Sequence, residues 1–181
     1  VSVDSQPINM LRYTAKKYSV AVSFGYYELC DEAIYSSYMF IGKGGEIVNN
    51  FRRVSKGWKE YDITDEHYKE GDGFKTFTYM GKRIALAVCG DLWYEENIEQ
   101  INKEKFDFLL YPVYVTYNTE MWRTKLVNEY AEQAKKIPRP VFLVNSICDA
   151  DNTRGGCYAF LNGKTVCEVP MGQDGYLLVR V

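Results

Sequence analysis

The stretch Arg83-Ile-Ala-Leu-Ala-Val-Cys89-Gly90-Asp91-Leu-Trp-Tyr-Glu-Glu96 constrains this chain most. Small and branched apolar residues up to Val88 predict a fully buried strand, and a polar, Glu-rich segment of helical character follows without a linker. Cys89 then falls at the elbow, held between two rigid elements at the carboxyl edge of a sheet, where open α/β folds place their sites. Gly90 would let a substrate or another backbone approach closely, and the amino end of the next helix would favour the thiolate. Two readings of Cys89 follow from this position. It is a nucleophile, or it is the buried core cysteine that an apolar run commonly ends in.

Composition removes several other classes. With 181 residues, of which 46% are hydrophobic and 15% aromatic, the chain can bury the core of one ordinary domain. A formal charge of -2 with scattered basic residues gives no electrostatic case for nucleic acid. No apolar run approaches the ~18 residues that would cross a bilayer, and no signal peptide opens the sequence, so the default expectation is cytoplasmic, with no membrane partner. Cys30, Cys89, Cys148, Cys157 and Cys167 are odd in number and lack metal-type spacing, which predicts reduced thiols and no metal or cofactor.

In chain order, Ser5-Gln-Pro7 predicts a helix running through Lys17, with Ile8, Leu11, Ala15 and Tyr18 at helical spacing. Val20 to Phe24 reads as a buried strand closed by Gly25. Strands at Tyr35 to Ile41 and Glu46 to Val54 are joined by the hairpin signal Lys43-Gly44-Gly45. Gly42 to Gly45 lacks the spacing of a phosphate-binding loop. Ser55 to Gly73 is too long for an idle connection and reads as a functional flap. It carries the lone histidine, His67, for which a dyad with Cys89 is one reading and a bland loop residue the other.

Further strands are expected at Phe74 to Met80, Arg83 to Cys89 and Phe106 to Pro112, with a helix at Tyr94 to Lys105 as a right-handed crossover. A helix from Trp122 to Lys136 ends at Pro138 and Pro140. Val141 to Asn145, Gly155 to Phe160, an Asn162-Gly163 turn, Lys164 to Val169 and Gly175 to Val181 complete a meander.

Cys89-Gly-Asp91-Leu92-Trp-Tyr-Glu-Glu96 resembles the nucleophile motif of the nitrilase superfamily of carbon-nitrogen hydrolases, in which Asp follows Cys by two residues and Glu by seven. Weaker matches run along the chain. Tyr35-Ser36-Ser37 stands where the family has Tyr-Asn-Ser, and Phe51-Arg52-Arg53 where it has Tyr-Arg-Lys. Arg53 thus occupies the place of the catalytic lysine, and either Arg53 or Lys56 would supply the fixed positive charge for the oxyanion. Asp65-Glu66-His67-Tyr68 resembles the segment that brings a second carboxylate, making Glu66 a catalytic candidate. Phe106 to Val113 resembles the strand leading into the substrate pocket, which makes Tyr111, Val113, Tyr114 and Tyr117 substrate-binding candidates. Cys157 stands where the family has Ser.

The resemblance implies a four-layer α-β-β-α sandwich of nitrilase type with two mixed sheets. It also implies a single hydrolase domain over residues 1–181, apparently incomplete at the amino terminus, because no residue matches the catalytic Glu of the family's first strand-helix unit. The expected function is hydrolysis of a non-peptide carbon-nitrogen bond in a small amide or carbamoyl compound through a cysteine thioester, in a homodimer or higher homo-oligomer. The alternatives are a catalytically silent binding or assembly protein and a glutaminase domain that supplies ammonia to a synthetase.

Overall fold

A computed structural model describes residues 1–58, 64–149 and 152–181, in two compact units. Unit 1 comprises Val1–Gly73 and Tyr79–Gly81, and unit 2 comprises Phe74–Thr78 and Lys82–Val181. Residues 59–63 of the expected flap lie outside the described residues.

Unit 1 pairs one helix with one sheet. Helix α1 (Gln6–Tyr18) accepts Pro7 in its first turn, where the missing N–H has no intrahelical partner to lose, and ends at Ser19 in the left-handed region. Its Ile8 and Ala15 are buried with Met39 and Ile41 of the sheet. Strands β1 (Val22–Cys30), β2 (Ala33–Ile41) and β3 (Ile47–Arg52) are antiparallel neighbours, and the short β4 (Tyr68–Lys69) pairs with β2 in parallel, so the sheet is mixed. Gly25 does not close the first strand. It sits mid-strand opposite Tyr38, where an added Cβ would make only ordinary contact with the Ser37 carbonyl at 3.8 Å, so nothing in its conformation stops the chain. The reversal comes instead at Asp31, whose φ of 53° is left-handed. Strand β1 is also half-buried at Val22 to Phe24 rather than buried. In the glycine turn, the Glu46 carboxylate occupies the space that a Cβ on Gly42 or Gly44 would need.

Unit 2 is built on six strands, in the order β12-β11-β8-β7-β6-β5: β5 (Phe77–Tyr79), β6 (Lys82–Leu86), β7 (Phe108–Val113), β8 (Val141–Asn145), β11 (Cys157–Leu161) and β12 (Lys164–Val169). A separate two-stranded ribbon is formed by β9 (Ile147–Cys148) and β10 (Thr153–Arg154). Strands β6, β7 and β8 are parallel, while β11 is antiparallel to both its neighbours, which makes this sheet mixed too. Helix α2 (Glu95–Lys103) links β6 to β7. A helical stretch of α3 (Thr119–Met121), a π-helical turn (Trp122–Leu126) and α4 (Val127–Lys135) links β7 to β8. Alternate residues of the central strands, Leu109, Tyr111, Val113, Val141 and Leu143, join Trp122, Leu126, Tyr130 and Ile101 in one apolar core. Asn162 and Gly163 both take positive φ, as the two-residue turn requires.

Two expectations are corrected here. Strand β6 stops at Leu86, short of Cys89. The run Gly175 to Val181 forms no strand, because it has no ladder to join and leaves Tyr176 81% and Leu178 84% exposed. Among the described residues, no helix is long and apolar enough to cross a membrane.

Candidate active site

The elbow after β6 is shaped by where its ladder ends. The Ala87 N–H makes the last bond to β7, donating to the Leu110 carbonyl at 3.2 Å. The chain then turns through a 3-10 turn (Cys89–Trp93), and α2 begins at Glu95, close to the expected start at Tyr94, so one turn separates Cys89 from the amino end of the helix. Cys89 opens this turn at φ 47°, a left-handed conformation that costs a residue with a side chain about 1–2 kcal/mol. Three hydrogen bonds hold it there. The buried Asp91 carboxylate accepts from the Val88 N–H at 2.8 Å, the Asp91 N–H donates to the Val88 carbonyl at 3.0 Å, and the Tyr111 hydroxyl donates to the Cys89 carbonyl at 2.6 Å. Each contributes on the order of 1 kcal/mol, enough together to outweigh the strain. Cys89 is a free, partly exposed thiol against the edge of the unit 2 core.

The other candidates in unit 2 divide by exposure. Tyr111 is fully buried; burial above all, and then Tyr130, Cys89 and Asp91, push its phenol well above its ordinary value, so it remains a protonated donor. Val113 is buried, its carbonyl taking the Ser146 N–H at 3.3 Å. Tyr114 and Tyr117 are exposed, and the Tyr117 ring stacks on Trp122 at 6.3 Å. A cleft of about 290 Å³ on this unit is lined by Phe108, Phe142, Ala159 and Val179 and by none of the candidates. The structure therefore joins Tyr111 directly to Cys89 and leaves Tyr114 and Tyr117 at the surface.

In unit 1, Arg53 and Lys56 follow the end of β3, and Glu66 precedes β4. The Arg53 N–H donates to the Ser36 carbonyl and its own carbonyl accepts from Gly71, both at 2.8 Å, so the ends of the long loop are tied across one residue. The Arg53 side chain is 8% exposed, with Nε donating to Ser55 Oγ at 2.8 Å and Nη2 to the Lys56 carbonyl at 3.5 Å. Lys56 and Glu66 are exposed. The His67 ring lies 2.9 Å from the Asp65 carboxylate, which the His67 N–H first and then this ring contact hold below its ordinary value. Among the described residues, no group of three His, Cys, Asp or Glu is gathered that could hold a metal ion.

Sequence reasoning passed over two polar anchors and gave a third another role. Glu28, buried in β1, accepts from Arg52 at 2.7 and 3.0 Å and from Ser37 at 2.7 Å. Burial raises its carboxyl, but the bonds from Arg52 and Ser37 outweigh that and hold it below the ordinary value of 4.5. Arg52, whose own pKa is raised by the Glu28 bond, also covers the Tyr35 ring at 3.8 Å. The available signal was an acid and a base on strands flanking the same partner. Asn145, noted only as closing a strand, is buried with its amide bonded to Val115 N–H and carbonyl and to the Gly155 carbonyl. Tyr111 is expected at the substrate pocket, and nothing in the sequence signals its bond to the Cys89 carbonyl.

The carbon-nitrogen hydrolase family model matches residues 2–181. A curated relative, the citrullinase of Francisella tularensis subsp. tularensis (strain SCHU S4 / Schu 4), is 24% identical over 117 residues, covering 61% of this chain and 40% of the relative. Among solved structures, a carbon-nitrogen hydrolase from Helicobacter pylori G27 superposes with a TM-score of 0.73 at 16% identity, covering 91% of this chain and 63% of that one. A mutant of the amidase from Nesterenkonia sp. AN1, with acrylamide added to its active-site cysteine, gives 0.72 at 14% identity over 91% and 64%. The chain thus spans less than two thirds of the length of these proteins, and its fold is the α/β fold of nitrilase type, with two mixed sheets. Since the family model runs through nearly every residue from the amino-terminal helix to the final valine, the chain belongs to the carbon-nitrogen hydrolase family.

Proposed function

We propose that Cys89 is the nucleophile of a hydrolase acting on a non-peptide carbon-nitrogen bond in a small amide or carbamoyl compound. The observation that carries this reading is the strained, hydrogen-bonded backbone of Cys89 at the end of a buried parallel strand, since strain of this kind persists where the surroundings over-determine it and gathers at active sites. The thiolate would add to the carbonyl carbon, forming the C–S bond while the carbonyl electrons move to oxygen. Collapse of that oxyanion expels ammonia or an amine, which takes up the proton that the Cys89 thiol gave up as the C–N bond breaks, and water then cleaves the thioester to the acid and regenerates the thiol. Because Arg53 is buried, with Nε on Ser55 and Nη2 on the Lys56 carbonyl, while Lys56 is exposed, Lys56 is the better candidate for the oxyanion's cation, with Arg53 fixing the turn that carries it. Glu66 is the candidate second carboxylate, and Tyr114 and Tyr117 are the candidate substrate contacts. A relative called a citrullinase and neighbours called amidases support this substrate class. We further propose that residues 1–181 act as one hydrolase domain, in a homodimer or higher homo-oligomer.

The test is intact mass after iodoacetamide at neutral pH, comparing the wild type with Cys89→Ala. One adduct should form well ahead of the other four and vanish in the variant. If Cys89 reacts no faster than Cys30, Cys148, Cys157 and Cys167, the hydrolase reading fails, and the second reading, a silent binding protein favoured by the commitment of Arg53 to Ser55, takes its place.

A further inference from the structure

We infer that Tyr111 is a positioning residue for Cys89: its hydroxyl replaces the ladder bond that β6 can no longer make and holds the Cys89 carbonyl so that the backbone stays left-handed and the thiol points one way. The inference rests on the reading of Cys89 as nucleophile, and it assigns Tyr111 a role other than substrate contact.

The geometry is that of a strand pair finishing in a side chain. Leu86 pairs with Leu110 in the parallel ladder, and Ala87 donates to the Leu110 carbonyl. One residue further on β7 comes Tyr111, whose side chain, by strand alternation, lies on the same face as Leu109 and Val113, in the unit 2 core. Its hydroxyl reaches the carbonyl of Cys89 at 2.6 Å, after β6 has left the sheet. The ring is clamped by that core, lying 6.2 Å from Tyr130, which in turn packs 4.9 Å from Trp122. Burial raises the phenol well above its ordinary value, so the hydroxyl is a donor at neutral pH. Asp91 fixes the other side of the turn through Val88. With the carbonyl released, Cys89 can relax toward negative φ, and the thiol swings with it.

The experiment compares the iodoacetamide rate of Cys89 in wild type, Tyr111→Phe and Tyr158→Phe. Tyr158 is a control from the same core; its hydroxyl serves Trp122 Nε1 and the Met171 N–H, both at 2.8 Å. Tyr111→Phe should slow Cys89 labelling roughly two- to tenfold, as expected for loss of one hydrogen bond, with the other four thiols unchanged. Tyr158→Phe should leave the Cys89 rate within a factor of about two of wild type, because its hydroxyl bonds do not reach the elbow. Equal slowing by the two variants overturns the inference in favour of general loosening, and an unchanged rate in Tyr111→Phe overturns it outright while the nucleophile stands. If wild-type Cys89 is not the fastest thiol, both readings fall. A second measurement serves if the Phe variant folds poorly. Cys89→Gly should be more stable than Cys89→Ala in the wild type, and that advantage should shrink in the Tyr111→Phe background; an advantage of the same size in both backgrounds rejects the role.

Discussion

Around the end of β3 in unit 1, the buried anchor is an ion pair: Glu28 holds Arg52 with two bonds while Ser37 takes a third. Around Cys89 in unit 2, the bonds run to backbone instead, the Tyr111 hydroxyl donating to the Cys89 carbonyl and the Asp91 carboxylate accepting from Val88, and at the end of β8 the Asn145 amide ties Val115 to Gly155. The apolar supports differ in the same sense. Unit 1 buries Ile8, Ala15, Met39 and Ile41 as its cluster, whereas that of unit 2 runs from Ala85 to Met171 and includes Trp122, Tyr130 and Tyr158. A small core leaves more of the positioning to charge, and charge answers to protons and salt; a large core does not.

The contrast can be broken at three points. Trp122→Ala should cost about 3–5 kcal/mol in denaturant unfolding, because it opens a cavity beside Tyr130 and removes one of the two N–H donors to the Tyr158 hydroxyl, leaving that of Met171. That cost should be the same at low and high salt; a salt-dependent loss would place charge in the core of unit 2 after all. Glu28→Gln should cost about 2 kcal/mol near neutral pH, since it weakens bonds to a charged partner, and amide exchange should rise across β1 to β3. The folded carboxyl of Glu28 titrates below its unfolded value, so its contribution is fully present above 4.5 and disappears as pH falls through the lower, folded value. Wild type and Glu28→Gln should therefore converge in acid; a gap that persists there would show that shape, not charge, matters at this position. The smallest effect is expected at Gly163→Ala, about 1 kcal/mol by thermal unfolding, from a side chain at φ 75° that also meets Lys135.

What could be read in advance follows from how local the cause is. Asn162-Gly163 carries its own turn chemistry, and Val141 to Asn145 its own apolar pattern, so both appear where expected. Gly25 misled because glycine marks a stop only where its special φ is used, and here it is simply extended. Gly175 to Val181 alternates like a strand but has no ladder. Of the candidate site, the place of Cys89 at an elbow was legible, since an apolar run meeting a polar segment is a local signal. The commitment of Arg53 to Ser55 and of Tyr111 to the Cys89 carbonyl was not, because each depends on which atom a neighbouring loop or strand presents.

The π-helical turn at Trp122–Leu126 bears on how this chain can change length. Such a turn holds one residue more than an α-helix needs, and each residue added to or lost from a regular helix rotates everything beyond it by about 100°. Loss of one residue within 122–126 can be absorbed by reversion to the α-helical ladder, leaving Tyr130 and Ala134 facing the sheet. The same loss a turn later would carry the charged face of α4 inward, so a one-residue gap among relatives is best accommodated in this turn.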